Sequence, residues 1–150
     1  MAGRSKEEEE LRRLSVQLRF LEQTAETLQS RIGMLNAAIT DLTYANMTLD
    51  GVENEKKNSE LLVPIGGSSY VRVKLADSDK VVVGLGAGVS VEKPLLEAKT
   101  LLKERLDELT KSMQAAQQQF TQIAERINAD RNRLENLVAA ARQGKASGNV

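Results

Sequence analysis

The chain has 150 residues, and its 21 basic side chains balance 21 acidic ones, so the formal net charge is zero. It contains no cysteine and no histidine, which excludes disulfides, thiolate nucleophiles, Cys/His zinc sites and the usual neutral-pH general base. We therefore expect no catalytic site, no metal and no cofactor. The even charge disfavours nucleic-acid binding. No stretch is apolar enough for a signal peptide or a spanning helix, so we expect a cytoplasmic protein without membrane contact.

The first third of the chain carries a heptad repeat. Apolar residues recur at alternating spacings of three and four, which is typical of a coiled-coil helix. Ser5 and Glu8 form a capping box and Gly51 is suited to a helix end, so the pattern predicts a helix over 5–51. The seam of this helix is Leu11, Leu14, Leu18, Leu21, Ala25, Leu28, Ile32, Leu35, Ile39, Leu42, Asn46 and Leu49.

A second seam runs from Leu95 to Ala141 near the end of the chain. Pro94 is suited to a first helical position and Gly144 to a helix end, which predicts a helix over 94–143 and a flexible tail over 145–150. The two helices have similar lengths, so we expect them to pair antiparallel within the chain.

Two polar residues interrupt the predicted seams. Asn46 either fixes the register of the pairing or is solvated near the helix end. Asp130 is expected to form an ion pair with Arg126, four residues earlier on the same helix.

Residues 60–92 alternate short apolar runs with turn residues. The runs are 61–65, 70–75, 81–85 and 89–92, and clusters of Gly, Ser and Asp separate them. This pattern predicts two β-hairpins in succession, which we expect to form one small sheet. Glycine clusters at 66–67 and 84–88 are explained as hairpin turns, because neither is followed by the helix or lysine that a phosphate-binding loop requires.

Side chains alternate along a strand, so one face of this sheet should be apolar while Arg72, Lys74, Ser90 and Glu92 point away. A small sheet with an apolar face and two open edges is a poor monomer and needs partner strands. The residues expected to drive oligomerisation are Leu61, Val63, Ile65, Val71, Val73, Leu75, Val81, Val83, Leu85, Val89 and Val91.

The hairpin segment reads Val-Pro-Ile-Gly-Gly-Ser-Ser-Tyr-Val at 63–71 and Val-Gly-Leu-Gly-Ala-Gly-Val-Ser-Val-Glu-Lys at 83–93. With its flanking helices, this segment resembles the prefoldin family, in particular the archaeal alpha type, which carries two hairpins where the beta type carries one. The resemblance implies an α+β fold over 1–150 as a single domain. In that fold a long antiparallel two-helix coiled coil has two β-hairpins at its base, and these assemble into an oligomeric β-barrel hub.

The resemblance further implies an ATP-independent molecular chaperone, or holdase. Two alpha and four beta subunits would form a hexamer whose coiled-coil tips hold unfolded client proteins and deliver them to a group II chaperonin. Val16 and Phe20 lie outside the seam, one turn apart on one outward strip, and exposed apolar residues usually mark a partner. The residues expected to contact clients at the tips are Leu11, Leu14, Val16, Phe20, Leu134, Leu137 and Val138.

Two other functions remain open from the sequence. The chain could be a structural coiled-coil scaffold, or a prefoldin-like protein that assembles into filaments through its hairpins. The second function is that of a helical arm that binds nucleic acid, and the even charge argues against it.

Overall fold

The computed structural model describes residues 2–147, with side chains from Lys6 to Gly144. Two long helices enclose four strands in chain order, which confirms the predicted α+β class. The chain divides into a helical unit, Met1–Leu35 with Ser112–Val150, and a hairpin unit, Asn36–Lys111. The elements are α1 (Ala2–Glu53), β1 (Glu60–Gly66), β2 (Ser69–Lys74), β3 (Lys80–Gly86), β4 (Val89–Pro94) and α2 (Leu95–Ser147).

The helical unit is held together by the two seams. Leu18 and Leu21 of α1 pack with Ile127 of α2, and Ala25, Ile123 and Leu134 lie beside them. An early part of α1 thus meets a late part of α2, so the helices are antiparallel within this unit. Every predicted seam residue of both helices is buried or half-buried, as the spacing of three and four residues requires.

The hairpin unit has its own core, in which the two helices and the second hairpin meet. Leu49 of α1 packs with Leu95 and Ala98 of α2 and with Val83 of β3. Val81, Leu101 and Leu102 surround this cluster. The core therefore attaches β3 to both helices.

The two hairpins share one backbone plan. β1 pairs with β2 and β3 with β4, both antiparallel, and each pairing has a register shift just before its turn. The turns place Gly67 and Ser68, and then Ala87 and Gly88, at positive φ. Two consecutive residues at positive φ are typical of the tight turn that matches the twist of paired strands.

The expected single four-stranded sheet is wrong, because each hairpin forms its own two-stranded sheet. The backbone groups that flank the strands form hydrogen bonds across the base of each hairpin, not between the hairpins. Leu75 exchanges hydrogen bonds with Asn58 and Ser59, and Asp79 accepts one from the backbone N–H of Leu95. Leu75, predicted as the end of a strand, therefore lies just after β2 and is half-buried.

The helix ends differ from the predicted ones. α1 begins at Ala2, so Ser5 lies within the helix, and it continues past Gly51 to Glu53. Pro94 is the last residue of β4 rather than the first of α2, because the Leu95 N–H bonds to Asp79 and extends the strand pairing. α2 reaches Ser147, so residues 145–147 of the predicted flexible tail are helical, and 148–150 lie outside the described residues.

Candidate interaction surfaces

The N-terminal part of α1 presents an apolar strip on its outward side. Val16 and Phe20 are 66% and 67% exposed, and both lie outside the seam. Together with Glu9, Arg12, Arg13 and Gln17 they line a shallow, mainly apolar groove on the helix surface. The aliphatic stems of the arginines border the apolar strip while their charged groups can reach water.

The C-terminal part of α2 forms a second apolar surface in the same unit. Leu134 and Val138 line a depression with Ala139, and Glu135, Arg142 and Gln143 complete its polar border. The seven predicted client residues therefore have three environments. Val16, Phe20 and Val138 are exposed, Leu11, Leu134 and Leu137 are half-buried, and Leu14 is buried. We call these seven residues the tip surface.

Ion pairs also join α1 to α2 in the helical unit. Arg131 donates to Glu22 at 2.8 Å, and Arg133 donates to Glu10. The predicted ion pair between Asp130 and Arg126 does not form. One carboxylate oxygen of Asp130, Oδ2, is instead buried without a hydrogen-bond partner among the described residues.

The eleven predicted oligomerisation residues are covered to very different degrees. In the first hairpin Leu61 is half-buried, and Val63, Ile65, Val71 and Val73 are exposed. Leu75, just after β2, is half-buried. In the second hairpin Val83 is buried, Val81 and Val91 are half-buried, and Leu85 and Val89 are exposed. The chain therefore covers some of these predicted residues and leaves the others exposed.

The opposite face of the hairpins carries apolar residues that the sequence analysis missed. Leu62, Tyr70 and Val82 are 63%, 61% and 71% exposed. Tyr70 pairs with Pro64, beside the pair of Leu62 and Arg72, so this side of the first hairpin is also partly apolar. The sequence already indicated this second apolar face, because Leu62 and Tyr70 occupy the strand positions that alternate with the predicted apolar face.

Lys99 connects the two helices in the hairpin unit. Its Nζ lies 2.8 Å from Oδ1 of Asp50 and also contacts Oε2 of Glu53, both in the last turns of α1. The hydrogen bond to the Asp50 carboxylate, and after it that to Glu53, raises the pKa of Lys99 above its ordinary value of 10.5. Lys99 therefore connects the last turns of α1 with the first turns of α2.

No group of three or more Asp, Glu, His or Cys side chains converges within the described part of the chain. Over the same residues, no helix is both long and apolar enough to cross a membrane.

Comparison with known proteins agrees with this architecture. Residues 21–140 match the family model of the prefoldin subunit. The chain is 36% identical to the prefoldin subunit alpha of Methanococcoides burtonii over 120 residues, which cover 80% of this chain and 87% of that one. With the prefoldin subunit alpha of Pyrococcus horikoshii the identity is 29% over 119 residues, or 79% of this chain and 80% of that one.

A solved structure has the same fold. The cryo-EM structure of filamentous PFD from Methanocaldococcus jannaschii matches with a TM-score of 0.62 and 27% identity, over 81% of this chain and 95% of that one. The chain belongs to the prefoldin family. This confirms the resemblance inferred from the two hairpin segments and from the paired seams, and it confirms the coiled-coil and hairpin fold.

Proposed function

We propose that the chain is a subunit of an ATP-independent holdase that works in the cytoplasm. In this proposal the tip surface captures unfolded proteins and delivers them to a group II chaperonin. The observation that carries the proposal is the exposure of Val16 and Phe20 on a helix that already has a complete seam. Such side chains do not stabilise the helix pair, and their contact with water is unfavourable until an apolar partner covers them.

Weak and unspecific contacts suit this role. Burying one side chain of this size contributes roughly 1.5–3 kcal/mol, too little to hold a client alone. Several tip surfaces in one assembly would add their contacts and hold the client more tightly than any single one. The holdase therefore requires an oligomer, and we propose a hexamer of two alpha and four beta subunits.

The exposed hairpin residues support assembly through the hairpins. Most of the apolar side chains of the first hairpin remain exposed in the single chain, and each hairpin has two open strand edges. Open edges and apolar faces favour pairing with strands of another subunit. Beta-type prefoldin subunits, with one hairpin each, are the proposed partners.

The capture step is tested with the double variant Val16→Ser, Phe20→Ser. Both positions lie outside the seam, so the helix content and the assembly should persist while the protection of an aggregating client falls in part. A matched control is Tyr44→Ser with Met47→Ser, which removes two equally exposed apolar side chains from α1 within the hairpin unit. The control should protect the client as well as the parent. Equal protection by the double variant and the parent would refute capture at Val16 and Phe20.

Nucleotide dependence is tested in the same assay. The proposal expects protection by the purified complex without ATP. Delivery is tested by adding a group II chaperonin and following transfer of a labelled client. Protection that required added ATP would contradict the proposal.

The second candidate is a scaffold or filament-forming protein, and the likeness to the filamentous PFD structure favours it. Native mass measurement separates the two. A closed hexamer would form only with the single-hairpin subunit and would have one mass. A filament former would grow from this chain alone into a broad distribution of masses.

A further inference from the structure

The backbone pairing within each hairpin shows which hydrogen-bonding groups point outward along its edges. In an antiparallel pair, residues that bond to each other alternate with residues whose N–H and C=O groups point away from the partner strand. The N–H of Leu75 donates to the carbonyl oxygen of Ser59, so this pair is bonded. Every second pair along the ladder from it is also bonded, and the pairs between face outward. These outward pairs are Glu60 with Lys74, Leu62 with Arg72, and Pro64 with Tyr70.

The second hairpin follows the same alternation. The N–H of Leu95 donates to the carbonyl oxygen of Asp79, so that pair is bonded. The outward pairs of this hairpin are Lys80 with Pro94, Val82 with Glu92, and Gly84 with Ser90.

The two prolines of the chain each remove a donor from one outer edge. Pro64 lies in β1 and Pro94 in β4, and proline has no N–H to offer an added strand. β2 and β3 contain no proline, so every outward residue along them has both a donor and an acceptor. We call the outer edges of β2 and β3 the complete edges. An added strand can form an uninterrupted ladder only along these two.

The complete edges are also basic. Their outward residues include Arg72, Lys74 and Lys80, which are exposed and have no ion-pair partner among the described residues. The outward charges on the proline-interrupted edges are carboxylates, those of Glu60 and Glu92. Like charges opposite each other on neighbouring strands are destabilising, which disfavours pairing of β2 with β3 within the chain. The complete edges therefore suit a strand that carries acidic side chains.

We propose that the complete edges pair with strands of the single-hairpin subunit, and that these strands place carboxylates opposite Arg72, Lys74 and Lys80. The inference rests on the proposed assembly with that subunit, and it adds which edges take part and which chemistry they select. An added strand gains affinity from backbone hydrogen bonds and selectivity from its alternate side chains. The same acidic strand fits the edges of β1 and β4 poorly, because a donor is missing there and the carboxylates repel it.

Amide exchange in the chain alone and in its complex with a single-hairpin subunit tests the choice of edges. Arg72 and Val82, on the complete edges, are compared with Leu62 and Glu92, their cross-strand partners on the interrupted edges. Assembly should slow exchange at Arg72 and Val82 at least about tenfold, because each outward N–H gains an acceptor. Exchange at Leu62 and Glu92 should change less. Equal slowing on both kinds of edge, or none at Arg72 and Val82, would overturn the proposal.

Charge reversal tests the chemistry of the partner strand. Arg72→Glu places a carboxylate where the proposal needs a cation, and it should raise the Kd for the single-hairpin subunit roughly tenfold at low salt. The matched control is Glu92→Lys, which also reverses an exposed charge opposite an apolar residue and should leave the Kd close to that of the parent. Denaturant unfolding of both isolated variants should match the parent. A Kd unchanged by Arg72→Glu, or raised equally by both variants, contradicts the proposal.

The mass of the complex separates this inference from the proposed function. If no complex forms with the single-hairpin subunit, the hexamer and the strand pairing are both refuted. If the complex forms but the amides of Arg72 and Val82 exchange as in the isolated chain, the pairing alone is refuted and the hexamer stands. Slowed exchange of these two amides in an assembly of this chain alone would also overturn the proposal, because the partner would then be a second copy.

Discussion

The two hairpins have the same backbone plan but differ in what covers their apolar side chains. In each, strand pairing shifts by one residue before the turn, with Ile65 and Leu85 as the extra residues. No residue of β1 or β2 is buried, whereas Val83 in β3 is 3% exposed. The same plan thus yields one hairpin that packs on the helices and one that does not.

The difference arises from what each hairpin contacts. Val81 and Val83 pack on Leu49, Leu95 and Ala98. The backbone hydrogen bonds of Leu75 with Asn58 and Ser59 close the base of the first hairpin and do not join it to the helices. Backbone bonds fix the path of the chain, but they cover little apolar surface. The second hairpin is therefore anchored by its own chain, and the first depends more on a partner.

The largest expected effect comes from placing a carboxylate on matched faces of the two hairpins. Val83→Glu buries an unpaired charge in the core of the hairpin unit and should destabilise the isolated chain by about 3–5 kcal/mol. Val73→Glu lies on a side chain that is 36% exposed and should change the stability of the isolated chain much less. Denaturant unfolding of the two variants measures the difference.

The same pair of variants separates folding from assembly. Val73→Glu should fold and yet lose subunits from the complex, because its charge would be buried by a partner's strands. Native mass measurement of the mixture with a single-hairpin subunit checks this. If Val73→Glu assembles fully, the apolar face of the first hairpin is not an assembly surface.

The next largest effect is expected at Leu95, a residue of α2 in the core that holds the second hairpin. Leu95→Ala removes a buried side chain from the core cluster that includes Val83, and such truncations cost about 2–5 kcal/mol. Hydrogen exchange should accelerate in β3 and β4 more than in β1 and β2. The matched control is Leu96→Ala, at an adjacent position that is 68% exposed. Equal acceleration in both hairpins would show that the first hairpin also depends on this core.

The helix pairing and the hairpins could be predicted from the sequence because their patterns are local. A seam spacing of three and four residues identifies the buried side of a helix without knowledge of the partner. Alternation identifies the faces of a strand in the same way. The exposed positions of Val16 and Phe20 follow directly from the heptad register, and the structure places both outside the seam.

The separation of the hairpins and the state of Asp130 could not be predicted in this way. Whether two hairpins form one sheet depends on which strand edges pair with each other, and alternation along a strand does not identify its neighbour. Arg126 lies four residues from Asp130, as a helical ion pair requires. Local spacing does not reveal that the carboxylate turns into the seam instead.

A smaller effect is expected from the turns, where each hairpin has one residue other than glycine at positive φ. Ser68 has a φ of 58° and Ala87 a φ of 53°. Glycine adopts this conformation without steric strain, so Ser68→Gly and Ala87→Gly should each stabilise the chain by roughly 0.5–1 kcal/mol. Gly86→Ala, at a φ of 99°, should have the opposite effect. Thermal unfolding measures all three, and a loss of stability in Ala87→Gly would contradict the argument.

The smallest effect is expected at Lys99, which helps to hold together the helix ends that cover the second hairpin. Lys99→Met removes the contacts with Asp50 and Glu53 but keeps the aliphatic stem, so the Tm should fall slightly. High salt should reduce the difference in Tm between parent and variant, because it screens exposed ion pairs.

The pH dependence of this difference follows from the raised pKa of Lys99. A group whose pKa is higher in the folded state stabilises that state fully at pH values below its unfolded pKa, near 10.5. The contribution is lost as the pH rises through the folded value. The Tm difference between parent and Lys99→Met should therefore be constant around neutral pH and shrink above 10.5. A difference in Tm that persisted unchanged in strong alkali and in high salt would contradict a contribution of the Lys99 charge to the anchoring of the second hairpin.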